Sequence, residues 1–307
     1  MNLALITHPE CLQHSNGPHH PENAGRIEAI QDHLIATGLD PWLVHLYAPL
    51  ATREDLLLAH EARLVDRLFE VAPSAGMIEI DGDTAMNPHT LPAALRAAGS
   101  GMQAVDWVLE SPGRRAFCAI RPPGHHAGRA RPAGFCLFNN VAIAALHALE
   151  RHGLERVAIV DFDVHHGDGT EDIVAGDQRI LFCSSFQHPF YPHSGTPPLA
   201  DNCLPVPLPA GTAGTAWREA VAAAWLPRLH AHAPQLILVS AGFDGHRDDD
   251  MSHFGLVEDD YAWLTGILVD IATRHGGGQV VSMLEGGYEP NALARSVAAH
   301  LRVLMDH

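Results

Sequence analysis

The sequence predicts a single α/β domain, a three-layer α/β/α arrangement around a central, mostly parallel sheet. Short apolar runs rich in β-branched residues recur along the 307 residues, and a stretch of helical periodicity follows each run. The runs are continuously apolar, as strands covered on both faces are. Because no internal repeat, low-complexity tract or long linker divides the chain, we expect one domain over residues 1–307.

These patterns predict strands that alternate with helices. The predicted strands are Leu3–Thr7, Ala116–Ile120, Val157–Asp161, Arg179–Ser184, Gln235–Ser240 and Gln279–Leu284. The predicted helices are Glu22–Thr37, Leu91–Leu109, Asn139–His152, Ala216–His232, Glu258–His275 and Asn291–Met305. Alternation of this kind favours parallel pairing, because a parallel connection must cross one face of the sheet and usually does so as a helix.

The chain is acidic, with 36 Asp and Glu against 19 Lys and Arg and a formal net charge of −17 at pH 7. Such a surface repels nucleic acid and anionic lipid, so we expect no direct nucleic-acid partner. The same charge favours a cationic ligand, although solubility alone explains it equally well.

The sequence argues against a membrane protein and against a protein stabilised by disulfide bonds. No stretch reaches the roughly 18 apolar residues that a membrane span requires, so we expect no membrane partner. The first residues lack a basic region followed by a longer apolar run, which argues against a signal peptide and for a cytoplasmic protein. The five cysteines are odd in number and never spaced C-x-x-C, so they are predicted to be small core residues.

Polar, glycine-containing segments follow four of the predicted strands. They are Arg121–His126, Asp161–Gly169, Ala241–Asp244 and Glu285–Tyr288. Ligand sites of open α/β sheets lie at the carboxyl ends of the strands. We therefore expect the chemistry of this protein at that edge of the sheet.

The segment Asp161-x-Asp163-x-His165-x-x-Asp168 is the strongest of these. Residues two apart in an extended strand end share a face, so Asp161, Asp163 and His165 can converge on one point. Asp244, at the end of another strand, would add a ligand. Two carboxylates and one imidazole leave a coordination position open, as in a catalytic zinc site. The alternative is a set of aspartates that cap loops beside a solvent-facing histidine. This alternative would explain any one of these residues, but it does not explain why so many of them follow a single strand.

Two further features indicate acid–base chemistry. His125 and His126 follow a rigid Pro-Pro-Gly turn and could act as general base and general acid, with Asp161 and Asp168 as their orienting carboxylates. A surface histidine pair is the alternative. Tyr288, in a Gly-Gly-Tyr turn, could polarise a carbonyl and stabilise an oxyanion, whereas an isolated turn tyrosine is more often a packing residue.

Taken together, these segments resemble the histone deacetylase family of the arginase–deacetylase fold, in particular its bacterial class II-like members, which include acetylpolyamine amidohydrolases. The resemblance covers nearly the whole chain, in the order found in the family. It rests on HPENAGRIEAI (20–30), RPPGHHA (121–127), GFCLFNN (134–140), DFDVHHGDGT (161–170), SAGFD (240–244) and EGGY (285–288).

The resemblance implies a catalytic machinery. One Zn²⁺ would be bound by Asp163, His165 and Asp244. The pair His125 and His126 would be catalytic, with Asp161 and Asp168 as their respective partners, and Tyr288 would polarise the substrate carbonyl. A structural K⁺ or Na⁺ is also implied near the side chains of Asp161 and Ser184, held by the backbone carbonyls of Asp163 and His165.

The resemblance also implies residues that contact substrate. Phe135 and Tyr191 would form the aromatic walls of an acyl-lysine tunnel, and Gly134 would offer a backbone carbonyl. Asp83 matches an acid at the rim, and Arg26 matches an arginine of the internal cavity behind the metal.

The sequence thus predicts a zinc-dependent amidohydrolase that removes the acetyl group from an acetylated primary amine, most of all acetyl-lysine in a protein or peptide. The alternatives are an amidohydrolase of acetylpolyamines or other small amides, a two-metal ureohydrolase, and an inactive acyl-binding protein. The expected partner is the acetylated substrate, and the sequence leaves the oligomeric state open.

Overall fold

The computed structural model describes residues 2–306. Its strands, in chain order, are β1 (Leu3–Thr7), β2 (Val44–Tyr47), β3 (Ile78–Glu79), β4 (Ala85–Met86), β5 (Arg115–Cys118), β6 (Val157–Asp161), β7 (Ile180–Gln187), β8 (Cys203–Leu208), β9 (Leu236–Ala241) and β10 (Val280–Leu284). Eight of them form one sheet in the order β2-β1-β5-β10-β9-β6-β7-β8, and every neighbouring pair is parallel. β3 and β4 form a separate antiparallel pair.

Helices cover both faces of the sheet. They are α1 (Gly25–Ala36), α2 (Arg53–Leu56), α3 (Ala62–Val71), α4 (Thr90–Leu109), α5 (Asn140–His152), α6 (Asp168–Val174), α7 (Gly214–His232), α8 (Glu258–Gly276) and α9 (Pro290–Asp306). Short 3₁₀ turns occur at Pro9–Leu12 and Asp40–Trp42.

Two apolar cores lie on opposite faces of the sheet. In β6, Ile159 belongs to the core that contains residues of α2 to α6, whereas its neighbour Val160 belongs to the core that contains residues of α1, α7, α8 and α9. Successive strand residues point to opposite faces, so a strand buried on both sides must be apolar throughout. The predicted α/β/α fold with a parallel central sheet is therefore confirmed; the domain bounds 1–307 stay a prediction, and Met1 and His307 lie outside the described residues.

The six predicted strands all occur, two of them with the predicted bounds and the others with ends that shift by at most three residues, and the five cysteines are buried as expected. The sequence missed β2 and β8, the two edges of the sheet. β2 alternates between half-buried and exposed residues, and β8 contains Pro205 and Pro207. Proline is tolerated at an edge because one side of that strand needs no ladder hydrogen bonds.

The first predicted helix begins at Gly25 rather than at Glu22. Glu22 is instead completely buried in the preceding loop, where ion pairs hold it. Helical periodicity could not reveal this role, because the partners of Glu22 include a residue about a hundred positions away in the chain.

The carboxyl ends of β5, β10, β9 and β6 are neighbours at one edge of the sheet. These are the four strands that precede the polar segments. Parallel strands present their carboxyl ends on the same side, so the fold brings the four segments together. Between residues 2 and 306, no helix is both long enough and apolar enough to cross a bilayer.

Close packing of α4 on the loop before α2 requires a glycine at position 99. A Cβ atom added to Gly99 would lie 2.0 Å from the carbonyl oxygen of Pro49, which is backbone and cannot swing away. We expect Gly99→Ala to lower the free energy of unfolding by about 1–3 kcal/mol, the usual cost of overpacking. Urea denaturation measures the change.

Gly266→Ala is the matched control, because Gly266 also lies inside a helix, α8, but a Cβ there would meet its nearest neighbour at an ordinary 3.8 Å. Alanine favours helix, so this variant should gain up to about 1 kcal/mol. Equal stability of the two variants would contradict the packing argument.

Candidate active site

Three potential metal ligands meet at the floor of the candidate site. Nδ1 of His165 lies 3.1 Å from a carboxylate oxygen of Asp163 and 3.1 Å from one of Asp244. Asp163 and His165 follow β6, whereas Asp244 follows β9, the neighbouring strand. All three side chains are buried, and one donor atom of each lies within 4.8 Å of the others. The structure thus brings together the three residues that the sequence selected as metal ligands.

Backbone approaches this cluster very closely at Gly286. Its N–H donates to Oδ2 of Asp163 at 2.8 Å. A Cβ on Gly286 would lie 2.2 Å from Oδ2 of Asp244 and 2.6 Å from Oδ2 of Asp163. Any side chain at this position would therefore fill the cradle between the two carboxylates.

The electrostatics of the cluster are those of a cation site. Burial, and then the charge of Asp163, raise the pKa of Asp244 to about 6. Burial opposes charge on His165 as well, but its contacts with Asp163 and Asp244 raise the pKa of the imidazole to about 10. Two adjacent buried carboxylates thus require a positive partner, which a divalent ion would supply more fully than one imidazolium.

Two histidine–carboxylate pairs lie beside the cluster. Nδ1 of His125 lies 2.9 Å from Oδ2 of Asp161, and Nδ1 of His126 lies 2.7 Å from Oδ1 of Asp168. The two rings are adjacent, with centroids 4.0 Å apart. In each pair the carboxylate accepts from Nδ1 and leaves Nε2 available for chemistry, so the predicted pairing of histidines with aspartates occurs in the structure.

The surroundings of the two histidines differ. Burial disfavours the charge of His125, but the carboxylates of Asp161 and Asp163 raise its pKa well above the usual value. Burial, followed by the charge of His125, lowers the pKa of His126 to about 4. A divalent ion would offset the charge of the carboxylates beside His125 and so weaken its hold on the proton.

Arg131 joins the second pair, which the sequence did not indicate. Its guanidinium donates to Oδ2 of Asp168 at 2.7 Å, while Oδ1 of the same carboxylate accepts from His126. Burial opposes the charge of Asp168, yet its contacts with His126 and Arg131 lower the pKa to about 2. Asp168 is therefore ionised and fixed from both sides at neutral pH.

An open-mouthed cavity of about 180 Å³ leads down to these groups. Its lining combines aromatic and apolar side chains with the buried histidines of the cluster and of the two pairs and with the exposed acid Asp83. The lining residues are Asp83, Pro123, His125, His126, Gly134, Phe135, His165, Phe190, Tyr191, Met251, Gly286 and Tyr288. Its largely apolar lining fits a chain of methylene groups with a polar end.

Phe135 and Tyr191 lie on the wall of this cavity, as the resemblance implied. Phe190, which was not selected from the sequence, lies there too and stacks on His165 with centroids 5.4 Å apart. Phe135 has a positive φ of 70°, which is rare for a non-glycine residue and is typical of functional sites. Gly134 precedes it, and Asp83 stands near the mouth.

Tyr288 also lines the cavity, and its ring is 6.1 Å from that of Phe135. Burial, followed by the nearby charge of Asp244, raises the pKa of the phenol well above its usual value. The hydroxyl is thus protonated over the working pH range and can donate a hydrogen bond into the cavity.

Arg26 holds the turn that carries Tyr288. Its Nε donates to the carbonyl of Gly287 at 2.6 Å, Nη2 donates to the carbonyl of Glu285, and the guanidinium carbon is 5.0 Å from the centroid of the Tyr288 ring. Arg26 does not line the substrate cavity; it acts from behind the turn.

A buried ion-pair network in turn holds Arg26. The carboxylate of Glu22 pairs with Arg26 at 3.2 Å and forms a two-pronged contact with Arg121, the first residue of the RPPGHH segment. His14 contributes a third partner at 3.3 Å. Burial opposes charge on Glu22, but Arg121 and His14 keep its pKa well below the usual value. Only the tertiary structure reveals this network.

Glu285 is a second buried acid that sequence reasoning missed. Its carboxylate accepts from the backbone N–H groups of Gly124 at 2.7 Å and His125 at 3.1 Å. Burial raises its pKa to about 7. Glu285 thereby fixes the backbone of the segment that carries both histidines. The sequence feature that could have identified Glu285 was its position directly after a strand, in the segment EGGY (285–288).

Ser184 pairs with Asp161 in the register between β7 and β6, so the two lie side by side as the implied monovalent-cation site requires. Its hydroxyl lies 3.0 Å from Nδ1 of His166, and Nε2 of His166 lies 2.9 Å from Glu171.

Comparison with known proteins decides the family. The family described as histone deacetylase domain matches residues 20–304. The chain belongs to the histone deacetylase family. A crystal structure described as the HDA15 HD domain superimposes with a TM-score of 0.92 and 30% identity, covering 99% of this chain and 88% of the other.

Members of the histone deacetylase family with different printed names are similar to this chain. A protein of Archaeoglobus fulgidus named probable deacetylase is 37% identical over 94% of this chain and 82% of its own length. The human protein named polyamine deacetylase HDAC10 is 36% identical over 92% of this chain, which corresponds to 44% of the human protein. Family membership supports a hydrolase activity of the deacetylase or amidohydrolase kind.

Removing one partner from the Glu22 network is expected to destabilise the fold. Removing the charge in Glu22→Gln leaves Arg26 and Arg121 buried and uncompensated, which should cost about 3–5 kcal/mol in the free energy of unfolding. Chemical denaturation monitored by circular dichroism measures this cost.

Asp66→Asn provides the control, because Asp66 pairs with Arg53 on the exposed surface. Surface ion pairs contribute little, so the control should unfold almost as the parent does. A Glu22→Gln variant as stable as Asp66→Asn would contradict the importance of the network.

Proposed function

We propose that this protein is a zinc-dependent deacetylase that hydrolyses the acetamide of an acetylated primary amine, most of all acetyl-lysine in a protein or peptide. The observation that carries the proposal is the convergence of Asp163, His165 and Asp244 at the base of an apolar cavity, beside two histidine–aspartate pairs. Neither the three potential metal ligands nor the two histidine–aspartate pairs alone would identify an amidohydrolase. Together they provide the metal site and the acid–base groups that amide hydrolysis needs.

The donor set fits zinc. Two carboxylates and an imidazole nitrogen are ligands that Zn²⁺ accepts, and three protein ligands leave room for a fourth from water or substrate. Gly286 keeps the space between the carboxylates free of side chains. When bound, zinc would supply Lewis-acid chemistry, acidifying water and polarising a carbonyl oxygen.

His126 is the proposed general base. Its low pKa keeps the imidazole neutral at pH 7, and Asp168 accepts from Nδ1, so Nε2 can take a proton from the attacking water. The new C–O bond turns the amide carbon tetrahedral; its C–N bond then breaks, and a protonated imidazole of the pair His125 and His126 returns a proton to the leaving amine. The products are acetate and the free amine.

Tyr288 is the proposed oxyanion donor. Tyr288 lines the cavity, its hydroxyl is protonated, and Arg26 holds the turn from behind. A donor fixed in this way stabilises charge as it develops on the carbonyl oxygen, without reorganising during the reaction. A tyrosine held so firmly also argues against the alternative of an inactive acyl-binding protein.

The substrate chain would pass between Phe135, Phe190 and Tyr191, whose rings suit the methylenes of a lysine side chain. We propose that the carbonyl of Gly134 and the carboxylate of Asp83 take up polar groups of the substrate near the walls and the mouth. The formal charge of −17 favours a basic peptide.

An acetylated polyamine is the second candidate substrate. The observation in its favour is the similarity to a relative named polyamine deacetylase, together with the acid at the cavity mouth. A two-metal ureohydrolase is disfavoured, because Asp161 and Asp168 are engaged by His125 and His126 rather than free for a second ion. We further propose that K⁺ or Na⁺ binds near Asp161 and Ser184, using the backbone carbonyls of Asp163 and His165.

The function is tested by acetate release from acetyl-lysine peptides, acetylpolyamines and small acetamides, each with and without a zinc chelator. We expect the peptides to give the highest kcat/KM and the chelator to abolish release from every substrate. Zinc added back should restore activity. Higher kcat/KM on acetylpolyamines would select the second candidate, and release that is insensitive to the chelator would overturn the zinc mechanism.

Tyr288→Phe removes only the hydroxyl. Loss of an oxyanion donor typically costs about 2.7–4 kcal/mol in the barrier, so kcat should fall by roughly two to three decades. Zinc content per chain should stay at the parent value, whereas Asp244→Ala should lose the active-site ion. Full activity of Tyr288→Phe would exclude the proposed role of the phenol.

A further inference from the structure

A second cluster of metal-ligating groups lies between α4 and α5, outside the active site. Asp106 belongs to α4, and His147 and His152 belong to α5. Nε2 of His147 lies 2.8 Å from Oδ1 of Asp106, and Nε2 of His152 lies 2.7 Å from the same oxygen. Two imidazoles of one helix therefore converge on one carboxylate oxygen of its neighbour.

We propose that Asp106, His147 and His152 form a peripheral zinc site. Two imidazoles and one carboxylate are a set of ligands that Zn²⁺ accepts, with water in the remaining position. One donor atom of each residue lies within 4.8 Å of the others. With zinc bonds of about 2.0–2.1 Å, tetrahedral donors are about 3.3 Å apart, so each nitrogen has to retreat from the carboxylate oxygen by roughly half an ångström.

The surroundings permit that movement. The side chain of Asp106 is 54% exposed and that of His152 is 31% exposed, whereas His147 is the more enclosed member at 13%. Exposure supplies the water ligand and lets two of the three side chains adjust. The acidic surface of the chain also draws cations towards such a site.

The site is remote from the chemistry. α5 begins at the catalytic edge, where the side-chain amide of its N-cap, Asn139, donates to the carbonyl of Ala127 at 3.0 Å. The helix ends at His152, 13 residues later, and a helix of that length spans about 20 Å. An ion at the far end of α5 cannot touch the substrate, so its expected effect is to join α4 to α5.

The affinity should be weaker than that of the active site. Nδ1 of His147 is buried and, within residues 2–306, has no hydrogen-bond partner. When Nε2 binds a metal ion, the proton of the neutral ring must sit on Nδ1, and bound histidines usually donate that proton to an acceptor. Because His147 lacks this acceptor, zinc binding loses free energy, and we expect a dissociation constant in the micromolar range rather than a lower one.

Zinc titration of the full chain tests the proposal. Isothermal titration and elemental analysis should find two ions per chain, one tight and one micromolar. His152→Ala should lose only the weaker ion and keep its deacetylase activity within about twofold of the parent. Asp106→Asn preserves the side-chain volume and should also lose the weaker ion. It therefore separates the loss of a ligand from an effect of side-chain removal on folding.

His230→Ala is the matched control. Nδ1 of His230 lies 3.1 Å from Nε2 of His275, so this pair also brings two imidazoles together on the surface, but among residues 2–306 no carboxylate completes a group of three ligands there. The control should keep both ions. If His152→Ala and Asp106→Asn bind as much zinc as the control does, the three side chains form only a hydrogen-bonded link between the helices and the proposal is wrong.

A second measurement separates this site from the catalytic one. In Asp244→Ala, which should lack the active-site ion, micromolar zinc should still raise the unfolding midpoint, and adding His152→Ala should abolish that rise. If Asp244→Ala instead retains the tight ion, the proposed catalytic site fails while the peripheral site stands. If zinc does not shift the midpoint of Asp244→Ala, the peripheral site fails.

Discussion

Buried negative charge at one edge of the sheet is the constraint on which this structure depends. The carboxylates of Asp161, Asp163, Asp244 and Glu285 follow or end adjacent strands, and water hardly reaches any of them. Unpaired charges in such surroundings cost several kcal/mol each. The chain balances them with imidazoles, backbone N–H groups and a cradle for a cation, and these are also the groups that hydrolyse an amide in the proposed mechanism.

The same acids tie the segments of the candidate active site together. Glu285, at the end of β10, accepts from the backbone of the segment after β5 and from the hydroxyl of Ser240 in β9, so one carboxylate links three strands. Behind it, Glu22 joins Arg121 to Arg26, which holds the turn of Tyr288. Catalytic groups need to be positioned within a fraction of an ångström, and here buried ion pairs and hydrogen bonds provide that precision.

Strands and motifs were predictable to different extents. Interior strands such as β6 are apolar throughout because both faces are covered, and that pattern is visible without a structure. The edge strands β2 and β8 were not found, because an exposed edge imposes neither continuous apolarity nor a full set of backbone donors. For the site, the pattern Asp161-x-Asp163-x-His165 predicted that all three side chains converge, but the structure brings only Asp163 and His165 together, whereas Asp161 pairs with His125. β6 ends at Asp161, so the rule for residues two apart in a strand does not extend to the residues that follow.

By itself, the sequence determined the fold class, the edge of the sheet that carries the candidate site and the three residues of the candidate metal cluster, because strand periodicity and the residues after each strand are local properties. The tertiary structure alone decided which distant groups pair: Glu22 with Arg121, Arg131 with Asp168, and Asp106 with two histidines of α5. The same holds for Phe190, which lies on the cavity wall and stacks on His165. These contacts join segments that only the packing of helices and loops on the sheet brings together, and no local pattern records such a juxtaposition.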